Sequence, residues 1–170
     1  MNYFTTMDSP IGELLLISDA EFLTGLYTLP AAANEKLKLG ARYHAELPLF
    51  VLVKEQLKQY FASDRRDFDI PLQPSGTEFQ KSVWAELRRI PYGEHISYGE
   101  LAKRIGNPAA SRAVGLANGR NPLSIIVPCH RVISQNGSLT GYAGGLERKQ
   151  FLLEIEAQKS QLRISAALTA

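Results

Sequence analysis

The sequence predicts a mixed α/β (α+β) fold, with a small N-terminal sheet-plus-helix domain followed by a mainly helical C-terminal domain. Short apolar runs with strand character crowd into the first 73 residues, whereas two helix-capping patterns follow residue 74. The stretch at 71–77 holds two prolines and a glycine and predicts a linker. We therefore expect domains at 1–73 and 74–157 and a C-terminal tail at 158–170.

The predicted N-terminal elements are short apolar runs separated by turn residues. Residues 9–19 and 22–30 are expected to form two strands joined by a short turn, and residues 67–72 a further short strand. Residues 48–63 predict a helix, because their apolar side chains recur at helical spacing. The side chains on that face are Phe50, Val53, Leu57, Tyr60 and Phe61.

The C-terminal elements begin with two capping boxes. Thr77 and Gln80 fit one that opens a helix running to Ile90, and Ser97 and Glu100 fit a second that opens a helix stopping at residue 106. Asn107 is expected to cap a third helix, with a proline in its first turn. Two short helices joined by such a turn are typical of a helix-turn-helix, which binds DNA in many proteins.

The last predicted elements surround the chain's single cysteine. An apolar run at 123–128 is expected to be buried and to deliver Cys129 from the core. The final helix is predicted over 146–156, and the tail either extends it or frays. Its expected core-facing side chains are Leu146, Phe151, Leu152 and Ile155.

Composition narrows the class of protein. The 170 residues are 45% hydrophobic, with a net charge of +2. Acidic side chains outnumber basic ones in residues 1–73, and the reverse holds in 74–156, so the C-terminal part suits a polyanion. No apolar run approaches the ~18 residues that a membrane span takes. One cysteine forms no internal disulfide, and no secretory signal is evident, so we expect a cytoplasmic protein.

Cys129 is either an inert core residue or a nucleophile. Free cysteine usually packs in the core. Here His130 adjoins it and could take its proton, and Glu154 or Glu156 could orient that imidazole. The histidines and the cysteine lack metal-ligand spacing, so we expect no metal site.

Several blocks together resemble the O6-alkylguanine-DNA alkyltransferases, also called methylated-DNA–protein-cysteine methyltransferases. PCHRV occurs in register with SYGELA, RAVG, NP and YAGG, and the likeness is strong from Gly76 to Glu156. The resemblance implies a ribonuclease-H-like N-terminal domain. It also implies a DNA repair protein that moves the alkyl group of O6-alkylguanine irreversibly to its own cysteine, once per molecule and without a cofactor. Activity on O4-alkylthymine stays open.

The resemblance also implies roles for individual residues. Cys129 is similar to the acceptor thiol, His130 to its base and Glu156 to the carboxylate that orients the histidine. Asn121 is similar to the residue that links the helix-turn-helix to the active-site strand, and Tyr98 to the proton donor for the departing guanine.

Further roles concern DNA and the lesion. Arg112 is similar to the finger that replaces a nucleotide flipped out of the duplex, at a cost of a few kcal/mol. The other expected DNA contacts are Tyr98, Ser97, Ala113, Gly115 and Asn118. The expected pocket residues are Val127, Val132, Tyr142, Ala143 and Gly144. Some relatives have serine at the position of Ala143, so the preferred alkyl group is open.

The expected partner is double-stranded DNA that contains O6-alkylguanine, with no membrane contact. We expect a monomer, and cooperative assembly on DNA stays open. Two other functions compete with repair. A DNA-binding regulator could sense alkylation at Cys129, and would prefer one sequence. A thiol hydrolase could use Cys129 and His130, and would turn over a small ester.

Overall fold

A four-stranded sheet forms the centre of the N-terminal domain. The computed structural model describes residues 1–28, 31–142 and 144–169. The strands are β1 (Asn2–Met7), β2 (Leu14–Ser18), β3 (Leu23–Tyr27) and β4 (Ala41–Tyr43). Their spatial order is β3-β2-β1-β4, and β4 is the strand that pairs parallel to its neighbour. The predicted pair at 9–19 and 22–30 is thus present as β2 and β3.

Two helices accompany this sheet. Helix α1 (Ala31–Lys38) lies between β3 and β4, and helix α2 (Pro48–Phe61) follows β4. Helix α2 matches the predicted helix at 48–63, and its proline occupies the first turn, where the missing N–H removes no hydrogen bond. Its buried residues are Leu49, Phe50, Val53, Gln56, Leu57 and Tyr60.

The prediction of a strand at residues 67–72 is wrong. Only an isolated bridge joins Leu72 to Leu23 there, flanked by hydrogen bonds from Leu23 N to Pro71 O and from Gln73 N to Leu23 O. Pro71 has no N–H to donate, so a regular ladder cannot continue through it. Strand β1, by contrast, was not expected, because its polar and apolar residues do not alternate.

The C-terminal domain is mainly helical. It contains α3 (Glu78–Leu87), α4 (Tyr98–Arg104), α5 (Ser111–Gly119) and α6 (Leu146–Thr169). A short parallel pair, β5 (Ile96–Ser97) and β6 (Val132–Ile133), and a 3-10 turn at Cys129–Arg131 complete it. A small sheet domain followed by a helical domain confirms the predicted fold class.

The starts of the C-terminal helices differ in how far they match the predicted caps. At α3 both hydrogen bonds of the capping box between Thr77 and Gln80 are present. At α4 one of the two bonds of the box is present, from Glu100 N to Ser97 Oγ, and the Glu100 carboxylate pairs with Arg104. Asn107 does not cap α5. Its carbonyl accepts from the N–H of residue 110 in a turn, and the helix begins later, at Ser111.

Helix α6 runs well beyond its predicted end at residue 156, to Thr169, and so takes in most of the predicted tail. Leu152 is fully buried and Phe151 and Ile155 are partly buried, as expected. Leu146 is 49% exposed, so its expected place in the core is wrong. It is the first residue of the helix, ahead of the turn that packs on the core.

One connection between the domains runs through backbone. Leu26 of β3 donates to Pro122 O at 2.8 Å and accepts from Ser124 N at 3.0 Å. The segment before Cys129 is therefore anchored to the N-terminal sheet. No helix in the described ranges has the length and apolar character needed to cross a membrane.

Candidate active site

A tight turn delivers Cys129. The apolar run at 123–128 is buried as expected, but it forms no regular strand. Ile126 N donates to Ser124 O at 2.9 Å, which closes a γ-turn around Ile125 at φ 72°. This γ-turn is strained, and for a β-branched residue such a φ is an outlier. The hydrogen bonds to Leu26 hold the strained turn in place, and the 3-10 turn carrying the thiol follows directly.

Glu156 is the carboxylate that meets His130. The Oε1 atom of Glu156 lies 2.7 Å from His130 Nε2, and both side chains are buried. Glu154, the other candidate, is exposed and accepts from Gln150. Two residues apart on a helix, the two carboxylates point to different sides. Only Glu156 faces the thiol segment, defined here as residues 128–131.

Glu156 is the centre of a buried polar network. Tyr60 Oη donates to Oε1 at 2.7 Å, and Arg131 donates Nε to Oε2 and Nη2 to Oε1, each at 3.0 Å. The third Arg131 nitrogen donates to Ile90 O at 2.7 Å. The buried carboxylate and guanidinium therefore satisfy each other, as charges in a core must.

The network fixes the protonation of His130. Burial would raise the pKa of Glu156, but His130 and Arg131 outweigh it and hold the pKa at about 2. As an ionised carboxylate Glu156 only accepts, so Nε2 of His130 carries a proton. Burial lowers the pKa of His130, which favours the neutral ring. Its lone pair then lies on Nδ1, which has no hydrogen-bond partner among the described residues.

Cys129 is 5% exposed, and burial raises the pKa of its thiol. A hydrogen bond from Asn121 and the charge of Lys149 act in the opposite direction. Asn121 also donates Nδ2 to Val127 O at 2.8 Å and accepts from Leu123 N at 3.0 Å, so it braces the turn before the thiol. Asn118 is buried rather than on the exposed face of α5, and its amide lies 3.3 Å from Cys129 O.

Lys149 is a site residue that the sequence did not reveal. It is fully buried, and its Nζ donates to Val132 O at 2.6 Å and to Thr140 O at 2.7 Å. Burial lowers its pKa to about 8. The ammonium also lies 5.9 Å from the centre of the Tyr98 ring. Lysine is rarely buried, so composition and spacing gave no reason to place it beside the thiol.

The helix-turn-helix brings several predicted residues near the site. Tyr98 opens α4, and its Oη donates to Thr140 O at 3.1 Å, the same carbonyl that Lys149 binds. Ser97 caps α4 and is partly buried. Arg112 and Ala113 are exposed on the first turn of α5, and Gly115 faces the Tyr98 ring. A helix face with a cation and small side chains can approach another molecule closely.

The predicted pocket residues surround the thiol segment. Val127 and Val132 are buried on either side of Cys129. Tyr142 is also buried, and burial raises its pKa. Gly144 is partly buried and lies close to the Tyr142 ring. Ala143 lies outside the described residues. Among the residues that the structure describes, no cluster of three or more His, Cys, Asp or Glu side chains could hold a metal ion.

Comparisons with known proteins match nearly the whole chain. A family model described as the 6-O-methylguanine DNA methyltransferase ribonuclease-like domain matches residues 2–74, and one described as its DNA binding domain matches residues 78–158. The methylated-DNA–protein-cysteine methyltransferase of Methanosarcina acetivorans is 53% identical over 154 residues, which cover 91% of this chain and 97% of that protein. The constitutive enzyme of Bacillus subtilis is 48% identical over 158 residues, 92% of this chain and 96% of that protein.

Solved structures agree with these matches. The Mycobacterium tuberculosis O6-methylguanine methyltransferase superposes with a TM-score of 0.85 at 46% identity, over 94% of each chain. The Mycobacterium tuberculosis OGT in complex with DNA gives a TM-score of 0.85 at 47% identity, over 92% of this chain and 94% of that one. Sequence and fold therefore lead to one conclusion: this chain belongs to the 6-O-methylguanine DNA methyltransferase family.

Proposed function

We propose that this protein repairs double-stranded DNA by transferring the alkyl group of O6-alkylguanine irreversibly to Cys129, once per molecule. One observation carries the mechanism. His130 is bound through Nε2 to the buried Glu156 carboxylate, which leaves Nδ1 as the basic nitrogen beside the residue that bears the thiol. The methyl group is the simplest substrate, and O4-alkylthymine is a second one to test.

The proposed reaction is an in-line displacement at the alkyl carbon. The Cys129 thiol is proposed to lose its proton to Nδ1 of His130 through a bridging water, as the family resemblance implies, and Glu156 stabilises the resulting imidazolium. The thiolate forms a carbon–sulfur bond as the bond from carbon to O6 breaks, and the electron pair stays on the guanine. Tyr98 is proposed to protonate the leaving guanine, and its own proton is replaced from solvent. The thioether has no good leaving group, so the protein is spent.

We propose further roles for residues around the thiol. Asn121 and Asn118 position the thiol segment through Val127 and Cys129 carbonyls. The lesion pocket is proposed to comprise Val127, Val132, Tyr142, Ala143 and Gly144. Residues 1–73 and 74–157 are proposed as the two domains.

DNA is proposed to dock on helix α5. Arg112 is proposed as the finger that fills the space of the flipped nucleotide, with Ser97, Tyr98, Ala113 and Gly115 close to the backbone. A repair protein acts in any sequence, so its contacts should be mainly to phosphates and should weaken with salt. The protein is proposed to act as a cytoplasmic monomer.

The test mixes the protein with a duplex that carries one O6-methylguanine. Intact and peptide masses are then measured. One added methyl on the peptide containing Cys129, saturating at one equivalent and absent in Cys129→Ala, supports the proposal. Binding without any change of mass would overturn alkyl transfer and favour a regulator. Repeated turnover of a small ester would favour the hydrolase.

A further inference from the structure

We propose that Arg148 is a positioning residue that ties the loop of the lesion pocket to the N-terminal domain, so that this domain sets the position of one pocket wall. The loop is defined here by Thr140, Tyr142 and Gly144. The inference rests on the proposed function, because the pocket matters only if Cys129 takes an alkyl group from a base held there.

Three carbonyl groups converge on the Arg148 guanidinium. Its Nε donates to Ile11 O at 2.6 Å, and its Nη1 donates to Thr28 O at 2.7 Å and to Gly144 O at 3.0 Å. The first two carbonyls belong to the N-terminal domain, and the third belongs to the pocket loop. One rigid, planar group therefore joins two segments more than 100 residues apart in sequence.

Close backbone approach at the same place supports a fixed contact. A Cβ built on Gly144 would collide with Thr28 Oγ1, and Thr28 is buried. On the other side, Gly12 has a φ of 103°, and a Cβ added to it would lie 3.1 Å from Arg148 Nη2. Glycine at both positions allows the sheet domain, the guanidinium and the loop to pack without intervening side chains.

The next residue on helix α6 holds the other end of the loop. Lys149 donates to Thr140 O at 2.7 Å and to Val132 O at 2.6 Å, both within the C-terminal domain. Two consecutive cations thus fix the loop at Thr140 and at Gly144, on either side of Tyr142. Lys149 anchors it to β6, whereas Arg148 anchors it to the N-terminal domain. The charge of Arg148 is also felt at Tyr142, where it lowers the pKa against the stronger effect of burial.

The consequence is a pocket wall whose distance from Cys129 depends on the N-terminal domain. A methyl group is held only if the wall is close, whereas a benzyl group makes its own contacts with a wall that has moved. A displacement of about 1 Å at a reacting centre can slow a reaction by about 100-fold. Loosening the wall should therefore slow methyl transfer more than benzyl transfer.

The experiment measures single-turnover transfer to Cys129 from duplexes with O6-methylguanine or O6-benzylguanine. We expect Arg148→Gln to slow methyl transfer by about tenfold and benzyl transfer by less than about threefold, so the benzyl-to-methyl rate ratio rises. Arg148→Lys keeps the charge but lacks the planar fork, so its benzyl-to-methyl ratio should lie between those of the wild type and Arg148→Gln. The ratio is insensitive to lost stability, because the same folded molecules act on both substrates.

Arg65→Gln is the matched control. Arg65 donates to Gln59 Oε1 at 2.7 Å and to Asp67 O at 3.0 Å, and both of these partners belong to the N-terminal domain and neither to the loop. Its rate ratio should stay at the wild-type value. Equal slowing with both substrates in Arg148→Gln, which leaves the benzyl-to-methyl ratio unchanged, would overturn the proposal. The wild-type protein is assayed before any variant. If it transfers neither group, the proposed function is overturned instead.

Discussion

Glu156 links the chemistry of the site to the pH dependence of folding. Its pKa is about 2 in the folded protein, against about 4.3 in an unfolded chain. The carboxylate therefore stabilises the fold above about pH 4 to 5, and that stability is lost as the pH falls toward 2. The charge of protonated His130 is one cause of the low pKa of Glu156, whereas burial lowers the pKa of His130, so the two groups titrate as a coupled pair. We expect the pair to contribute about 3 kcal/mol to this loss.

Urea unfolding at a series of pH values between 7 and 2.5 would measure this effect. Glu156→Gln should be less stable than wild type at pH 7, and its free energy of unfolding should fall less steeply with acid. Glu154→Gln is the control, since Glu154 is exposed and accepts only from Gln150 among the contacts described. Equal slopes in wild type and Glu156→Gln would contradict the assigned pKa.

Some site residues could be predicted from the sequence and others could not. Cys129 and His130 stand out because they are adjacent and chemically matched. The choice between Glu154 and Glu156 depends on the rotation of helix α6, which local spacing does not determine. Lys149 could not be predicted, since its burial depends on carbonyls of Val132 and Thr140 that reach it through folding.

At the scale of the element, helix α5 offers a cationic face. Arg112 on its first turn and Arg120 just after its end are exposed. If α5 docks on DNA, replacing Arg112 removes one cation from the interface. We expect Arg112→Ala to weaken duplex binding by about 1–3 kcal/mol. The slope of log K against the logarithm of salt concentration should fall in magnitude by about 0.9, the value for one charge.

Fluorescence anisotropy with a labelled duplex at several salt concentrations would measure both quantities. Arg65→Ala removes the same charge from the N-terminal domain and keeps the net charge equal in the two variants. It should leave the salt slope unchanged. If both variants reduce binding alike, only overall charge matters and α5 does not form the interface.

The elements themselves were predictable where local signals control them. The capping box at Thr77 and Gln80 marks the start of α3 because both of its hydrogen bonds lie within four residues. The start of α5 was misplaced because Asn107 and Pro108 suit a turn as well as a cap. The γ-turn at Ile125 had no local signal, since a β-branched residue disfavours positive φ and only contacts with Leu26 hold it there.

At the scale of the molecule, the fold class followed from the order of strand and helix signals, but the docking of the two domains did not. Tyr60 and Glu156 are 96 residues apart, yet they share a buried hydrogen bond of 2.7 Å. The helical pattern placed Tyr60 on the buried face of α2 and gave no partner for its hydroxyl. The active site therefore includes a polar contact from the N-terminal domain that only the assembled molecule reveals.

That contact makes a prediction about how the domains unfold. Tyr60→Phe keeps the buried ring and removes a hydrogen bond to a charged acceptor, which contributes about 1.5–3 kcal/mol. We expect the free energy of unfolding to fall by about 2 kcal/mol in one cooperative transition, because Arg148 and the Leu26 backbone still join the domains. Tyr43→Phe is the control, since Tyr43 is 67% exposed. Calorimetry and urea unfolding would measure both variants. Equal stability of Tyr60→Phe and Tyr43→Phe would mean that the Tyr60 hydroxyl contributes nothing. Two transitions in Tyr60→Phe would mean that this hydroxyl is the main link between the domains.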